Sequence, residues 1–431
     1  VRDWSPERVA QAAGARLAAP APHAAGPGRV VIDSRDVGPG DLFVGLIGGN
    51  VDGGRFAPHA LSAGAWGVLV GGRHAEDARC APPGVLLAAE DPLAALASLA
   101  TAWRRALGAQ VIGVTGSTGK TSTKDILAGM LAPQRRVVAT AQNLNTEIGL
   151  PLTVLGAPPG TEVLVLEMAM RGAGQIAELT AIAEPDVGVI VNVGPVHLEL
   201  LGSIEAIAAT KAELIAGLRP GGTAVIPAGE RLLDGHRRDD ARTVTFGPGG
   251  DVAELPPGVR LPFTSAHMRA NSLAALAAAR AVGVEPAGEV QVALSDLRGQ
   301  KIELPGGIVV VNDCYNANPM SMRAALDDLA ASAPGRRVAV LGDMLELGPD
   351  ERGFHERIGA HARAAGVDVL VTVGPLAEHI GAAFGAPSHA APDARAASAL
   401  VPGLLEPGDT VLVKASRGVG LEVVAQALEA A

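Results

Sequence analysis

Residues 111–124 read VIGVTGSTGKTSTK, and few folds accommodate that order. The small apolar and β-branched run 111–115 reads as a buried parallel strand. Gly116, Ser117, Thr118, Gly119, Lys120 and Thr121 follow, and a helical period opens at Ser122 and runs to about Leu131. A phosphate cradle requires this sequence of strand, glycine turn, Lys-Thr and helix. Glycines let backbone N–H groups close on phosphate oxygens, and the helix start adds partial positive charge. Lysine neutralises the outer phosphates, and a hydroxyl reaches a magnesium ion. The chain is therefore expected to bind a nucleoside triphosphate at the edge of a parallel sheet. One position departs from the general pattern. Its first glycine falls on Val114, with Gly113 one residue too early, which leaves the shorter form G-x-x-G-K-T. A chain with 55 glycines can produce that form by chance as an ordinary strand-to-helix turn, and the strand–turn–helix context argues against it.

A length of 431 residues provides for two or three domains. With 48% hydrophobic and 19% charged residues the chain is globular rather than disordered. Aromatics at 2% leave little for stacking single-stranded nucleic acid, and a net charge of −10 opposes a nucleic-acid partner. A small anionic substrate remains compatible, because a local group of Lys and Arg is enough. Cys80 and Cys314 are too few for a four-cysteine zinc site or a disulfide framework, so a cytoplasmic compartment is expected. No apolar run reaches membrane-spanning length. The start VRDWSPERVAQ lacks a signal-peptide core, and Val1 in place of Met reads as a processed or trimmed start.

Three blocks follow one another. Residues 1–84 hold a helix after Ser5-Pro6, short strands between Gly/Pro turns over 30–56, and a helix running into a strand over 60–70. Pro82-Pro83 and the apolar strand 85–88 mark the passage to a second block, 85–299. There a helix over 92–106 leads to the phosphate-loop strand. Strands at 162–168, 187–193 and 222–227 alternate with helices near 174–183, 203–218 and 267–282. Such alternation signals a parallel sheet with helices on both faces. The third block, 300–431, has strands at 307–312, 337–342, 368–373 and 409–414 and helices at 319–331, 350–365 and 418–430. It reads as a second doubly wound unit, and without G-x-G-x-x-G after its first strand no dinucleotide is implied. The expected class is α/β in three domains: a small N-terminal α/β domain, a central phosphate-loop domain on a parallel sheet, and a C-terminal Rossmann-like domain.

Several side chains could carry chemistry. Glu167 ends the apolar strand VLVLEM, at the sheet edge where ligands gather. It could hold magnesium directly or through water, or cap a nearby helix. His197 lies at the same kind of edge and reads equally as a ligand or a structural histidine. Lys211, in IAATKAELI, reads on pattern alone as a solvated helix charge. Asn143 and Thr146 sit in the polar loop QNLNTEIGLP, a substrate loop or a plain turn. Asn271 stands at a helix start, as a cap or a reader of a base edge. Asp313, Tyr315, Asn316 and Asn318 crowd the turn NDCYNANP, where Asn and Pro are also turn formers. Lys414, Ser416 and Arg417 follow the last strand in VLVKASRG.

In order along nearly the whole chain, SRDVGPGDLFVGL, TGSTGKTSTK, NLNTEIGLPLTVL, LEM, VGPVHLELLGS, TKAEL, NDCYNANPMSM, LGDMLELG and VLVKASRG resemble the Mur ligases. These are the ATP-dependent amino-acid ligases of peptidoglycan precursor synthesis. The family's phosphate loop is the short form, which accounts for Val114. YNANP followed by Ser-Met, with GDMLELG after it, resembles the members that join D-Ala-D-Ala to UDP-N-acetylmuramoyl-tripeptide. The resemblance implies that the loop Gly116–Ser122 binds ATP, with Lys120 and Thr121 on the phosphates and magnesium. It implies that Glu167 and His197 hold magnesium. Lys211 matches the lysine that siblings carry as a carbamate, which orients a second magnesium ion. Asn271 would contact adenine, and Ser34 and Arg35 would hold the uridine diphosphate end. Asn143 and Thr146 would face the muramoyl peptide. Asp313, Tyr315, Asn316, Asn318 and Lys414 would belong to the nucleotide and acceptor side. The implied chemistry is attack of the peptide carboxylate on the γ-phosphate, then displacement of phosphate from the acyl phosphate by the amine of D-Ala-D-Ala. Closure of the third domain over the second would exclude water, and a monomer is expected.

Some positions depart from the family. Its D-G-H is D-G-G here, with Gly54 at the histidine position, and Met268 replaces the first Asn of H-N-x-x-N. The hinge R-x-E is Lys301-Ile302-Glu303 with Arg298 nearby, which leaves open which cation reaches the γ-phosphate. Rival readings are a sibling that adds the third amino acid, meso-diaminopimelate or lysine, whose D-N-P-R loop is missing, and a folylpolyglutamate synthase, which has no UDP-binding first domain. A related amidotransferase partner needs four zinc-binding cysteines. From another class, a phosphate-loop regulator would use ATP as a switch.

Overall fold

A computed structural model describes residue 1, residues 3–19 and residues 25–430. The strand before the phosphate loop is Gln110–Thr115, buried from Val111 onward. It lies inside a six-stranded sheet in the order Arg242–Phe246, Thr223–Pro227, Val187–Ile190, Gln110–Thr115, Val163–Glu167, Val137–Ala139. Every neighbouring pair is parallel. After Gln110–Thr115 the chain places Val137–Ala139 at the far edge, fills in Val163–Glu167 beside Gln110–Thr115, then crosses to the other side and builds outward, so the direction of winding reverses beside Gln110–Thr115. That crevice is where open α/β sheets bind ligands. Val114 pairs with both Glu167 and Val189, so the turns after the three central strands open at one level. The edge strand Arg242–Phe246 escapes the sequence pattern, because RTVTF is short and follows a charged loop. Helix Gly149–Gly156 replaces an expected loop: its proline falls at the third helical residue, where no internal hydrogen bond is lost.

The first sheet runs Arg16–Leu17, Val85–Ala89, Gly67–Gly71, Leu42–Val44, Val30–Val31, parallel except for its first pair. Val85–Ala89 therefore belongs to the first sheet and does not open the second block, a correction to the boundary placed at 84/85. Its continuous apolar run reflects a fully buried strand in that sheet. Helix Pro92–Leu107 follows, capped by Asp91, whose Oδ1 accepts from Leu93 N at 2.8 Å. Its Leu96, Leu99 and Trp103 join Leu42, Leu69 and Leu87 of the first domain to Leu150, Val154 and Leu164 of the second in one core. The Trp103 ring meets Trp4 edge-on at 5.4 Å.

The third sheet runs Gln300–Leu304, Ile308–Asn312, Thr410–Lys414, Arg337–Gly342, Val369–Val373, His389–Ala391, and only its first pair is antiparallel. The polar QKIEL gives no strand signal alone; pairing with Ile308–Asn312 makes it one. The last strand is inserted between two earlier ones, which brings the turns at 313–318, 343–347 and 414–417 side by side. The C-terminal helix is Glu422–Glu429, starting later than expected because Arg417–Val419 forms a separate turn first.

Candidate active site

Beyond its strand the chain turns through Gly116–Gly119 into helix Lys120–Leu131. Gly119 caps this helix at φ +74°, and a Cβ there would lie 2.5 Å from Asn271 Oδ1, so only glycine fits. Thr118 N donates to Asn192 Oδ1 at 2.9 Å and Ser117 Oγ to Gly194 O at 3.0 Å, which holds the loop against the next strand end. Ser122 lines the cleft on the first helical turn. Lys120 Nζ donates to Gly116 O at 2.9 Å, folded over the loop's mouth. Burial holds its ammonium below the usual range, Glu167 draws it back up, and Arg298 pushes it down. Asn271 lies on the second turn of helix Ala266–Ala281, which corrects its reading as a cap; its Nδ2 faces Met268 Sδ at 3.8 Å.

Glu167 is 1% exposed at the end of its strand. Its Oε2 accepts from Thr121 Oγ1 and its Oε1 from Asn145 Nδ2, each at 2.8 Å, and it caps no helix. Asn145, between the two loop residues singled out from sequence, is the one that meets this carboxylate. Asn143 and Thr146 stand exposed along the cleft. Lys211 overturns the surface reading: it lies in helix Ile204–Ala216 at 1% exposure. Its amine has no hydrogen-bond or ion-pair partner among the described residues. Burial, reinforced by the Lys120 charge, holds it well below the ordinary lysine range. His197 sits at φ +54° with Nδ1 2.6 Å from Glu346 Oε2, a partner on the C-terminal domain. Burial lowers the His197 pKa more than Glu346 raises it.

Hard oxygen donors at this edge, the Thr121 hydroxyl and the Glu167 carboxylate, fit magnesium, which takes few protein ligands and completes its shell with phosphate and water. Among the described residues no three His, Cys, Asp or Glu side chains form a metal cage of their own.

Across the cleft, Asn318 caps helix Pro319–Ser332: its Oδ1 accepts from Ser321 N at 3.0 Å, and Ser321 Oγ accepts from Asn318 N at 3.1 Å. Lys414, 2% exposed, donates to Asp313 Oδ2 at 2.5 Å and Asn316 O at 3.0 Å. Both residues are thus engaged in holding the turn, while Asn316 is exposed. The Arg298 guanidinium stacks 4.0 Å over Tyr315, and its Nε is buried without a partner. Lys301 is exposed. Of the two hinge cations, Arg298 is therefore the one whose charge reaches the phosphate loop. The loop of GDMLELG rests on buried His355, whose Nε2 accepts from Met344 N at 2.9 Å while Nδ1 donates to Glu351 O at 2.7 Å. Burial depresses the His355 pKa, so the unfolded chain takes up that proton more readily. Its stabilising contribution is complete above about pH 6.5 and shrinks as pH falls below it. The thermal midpoint should therefore fall on acidification from about pH 6.5. His355→Gln should show a flatter decline, and an equally steep one would assign the titration elsewhere.

The phosphate loop, Glu167, His197, Arg298 and the turn 313–318 line one cleft of about 1980 Å³ between the central and C-terminal domains, and Lys211 is not among its lining residues. Ser34 and Arg35 lie outside it, with Arg35 paired to Asp33 and 85% exposed. The missing histidine of D-G-H also has an explanation. A Cβ on Gly54 would lie 2.3 Å from His74, whose Nε2 bonds Asp52 Oδ2 at 2.8 Å, so a histidine from helix Gly72–Asp77 fills that space.

A phosphate loop on a reversing parallel sheet, facing a Rossmann-like domain across a cleft, defines a nucleotide-dependent enzyme. The chain matches the family descriptions "Mur ligase family, catalytic domain" over 29–103, "Mur ligase middle domain" over 114–279 and "Mur ligase, glutamate ligase domain" over 297–417. It belongs to the Mur ligase family. The UDP-N-acetylmuramoyl-tripeptide–D-alanyl-D-alanine ligase of Synechocystis sp. is 38% identical over 417 residues, 93% of this chain and 91% of the relative. That of Bacillus subtilis is 37% identical over 432 residues, 93% and 92%. Among solved structures, the MurF ligase from Thermotoga maritima in complex with ADP superposes with a TM-score of 0.81 at 32% identity, covering 93% of this chain and 97% of that one. MurF from Acinetobacter baumannii gives 0.88 at 27% identity, with 99% of each chain covered.

Proposed function

We propose that this chain is an ATP-dependent, ADP-forming ligase that joins D-Ala-D-Ala to UDP-N-acetylmuramoyl-tripeptide, the last cytoplasmic step of peptidoglycan precursor synthesis. The observation that carries this is near full-length identity of 32–39% with ligases of that name. The cleft's chemistry agrees. Bringing a peptide carboxylate up to a triphosphate joins two anions, and Lys120 and Arg298 offer positive charge in the same cleft. Magnesium, when bound at Thr121 and Glu167, and with a second ion at His197 and a carbamate on Lys211, would neutralise the remaining phosphate charge. Lys211 suits carbamylation because burial and the Lys120 charge hold its pKa well below the ordinary lysine range, which favours the nucleophilic free amine. Asn143 and Thr146 would face the muramoyl peptide, and the turn 313–318 would receive the dipeptide amine. The facing C-terminal domain would keep water from the acyl phosphate. Ser34 and Arg35, away from this cleft, suit the distant uridine diphosphate of a long substrate. We read the enzyme as a cytoplasmic monomer; no described helix is long and apolar enough to cross a membrane. Product analysis tests the acceptor: a pentapeptide by mass from the tripeptide nucleotide and D-Ala-D-Ala supports the reading. Turnover only of the dipeptide nucleotide with a single diamino acid would move the enzyme one step earlier.

A further inference from the structure

The segment that joins the central and C-terminal domains is fastened to the phosphate-loop helix itself. Over residues 290–294 it packs Val290, Val292 and Leu294 into the same apolar cluster as Ile126, Leu127 and Met130 of helix Lys120–Leu131. Gly129 makes room for it, since a Cβ there would lie 2.4 Å from the Gln291 carbonyl oxygen. One turn closer to the phosphate loop, buried Asp125 accepts two hydrogen bonds through Oδ2, from Ser295 N at 2.9 Å and Ser295 Oγ at 3.0 Å. Its Oδ1 pairs with Lys124 Nζ at 2.6 Å, and Lys124 in turn donates to Thr140 O at 2.7 Å. The clamp is thus part of a buried polar network beneath the nucleotide cradle.

Past Ser295 the backbone changes character. Leu297 has φ +60° and Gly299 φ +70°, the first an uncommon conformation for a branched side chain. Arg298 stands between them, stacked on Tyr315, and Leu297 O accepts from Tyr315 N at 3.2 Å. The connection is therefore bolted to the central domain at Ser295 and to the C-terminal domain at 297–298. Arg298 and Lys120 line the same cleft, close enough for the arginine charge to act on the lysine.

We infer that Asp125 is a positioning residue for the nucleotide: its grip on Ser295 fixes the start of the hinge 296–299 and so sets where Arg298 stands opposite Lys120 to meet a terminal phosphate. The inference rests on the nucleotide reading of the cleft and is independent of which amino-acid substrates the enzyme takes.

Ser295→Ala removes one of the two clamp bonds and leaves Asp125 paired with Lys124. ATP and ADP binding to the full chain is measured calorimetrically with magnesium, alongside thermal midpoints. ATP should bind about three- to tenfold more weakly, the size of one hydrogen bond to a charged or neutral partner. ADP affinity should hold within about twofold, because it lacks the phosphate that Arg298 meets. In an Arg298→Ala background Ser295→Ala should add no further loss of ATP affinity, since the clamp acts through that arginine. Asp125→Asn, which keeps an oxygen acceptor, should retain more of the preference for ATP than Asp125→Ala. Equal weakening of ATP and ADP, or full additivity with Arg298→Ala, would overturn the inference. Failure of the unaltered protein to bind either nucleotide would overturn the nucleotide reading and this inference with it.

Discussion

Replacing Lys211 with alanine is expected to lower kcat about a hundredfold or more, with acetate or formate restoring part of it. The lysine is buried and has no hydrogen-bond or ion-pair partner among the described residues, and burial with the Lys120 charge holds its pKa well below the ordinary lysine range. A buried amine without a partner weakens a fold, so its presence points to chemistry rather than packing. A carbamate would turn the liability into a carboxylate that could join the Thr121 hydroxyl, Glu167 and His197 as a metal donor. Alanine removes that carboxylate and leaves a space a small anion can enter. Lys211→Met separates the two roles further. It should match or exceed the wild-type thermal midpoint while remaining inactive, because it fills the space without an unpaired polar atom. Steady-state rates with rising acetate and a melting curve decide the matter. Full activity of Lys211→Ala without added carboxylate would contradict the carbamate.

Lys120→Ala should be more severe, with about a thousandfold loss of kcat. Lys120 is the ammonium folded over the phosphate loop, bonded at 2.9 Å to Gly116 O. Arg298 is held by its stacking on Tyr315 and does not belong to the phosphate loop, so it is not expected to substitute for Lys120. Lys120→Arg should rescue little, since a planar guanidinium does not reproduce a point charge within a tight glycine turn. Single-turnover rates at saturating ATP give the number, and a loss below about tenfold would remove Lys120 from the reacting phosphate.

The phosphate loop and Glu167 were legible because both are local: a glycine turn between strand and helix, and a carboxylate ending an apolar strand. Family membership was legible because the motifs recur in order. Lys211 was singled out by the resemblance alone, since IAATKAELI carries no sign that this helix face turns inward; burial there is decided by the packing of a distant element. Asn145 and Asn192 were missed for a related reason. They sit beside residues singled out in the same loops, and only the register of three parallel strands shows which side chain reaches Glu167 or Thr118. The partnership of His197 with Glu346 joins residues 149 apart and depends on how two domains meet. Strand Val85–Ala89 was read as the start of a domain because a proline pair precedes it, but prolines also occupy loops within a domain. His74 shows the converse: a departure from the family at Gly54 was visible in sequence, but the residue that fills the gap was not.

The central claim is that this cleft couples ATP cleavage to ligation. Phosphate release from ATP and Mg²⁺, measured with UDP-N-acetylmuramoyl-tripeptide in the presence and absence of D-Ala-D-Ala, tests it directly. Sustained release is expected only when both are present. Steady release from ATP alone, indifferent to either substrate, would contradict it and mark the chain as a nucleotide switch.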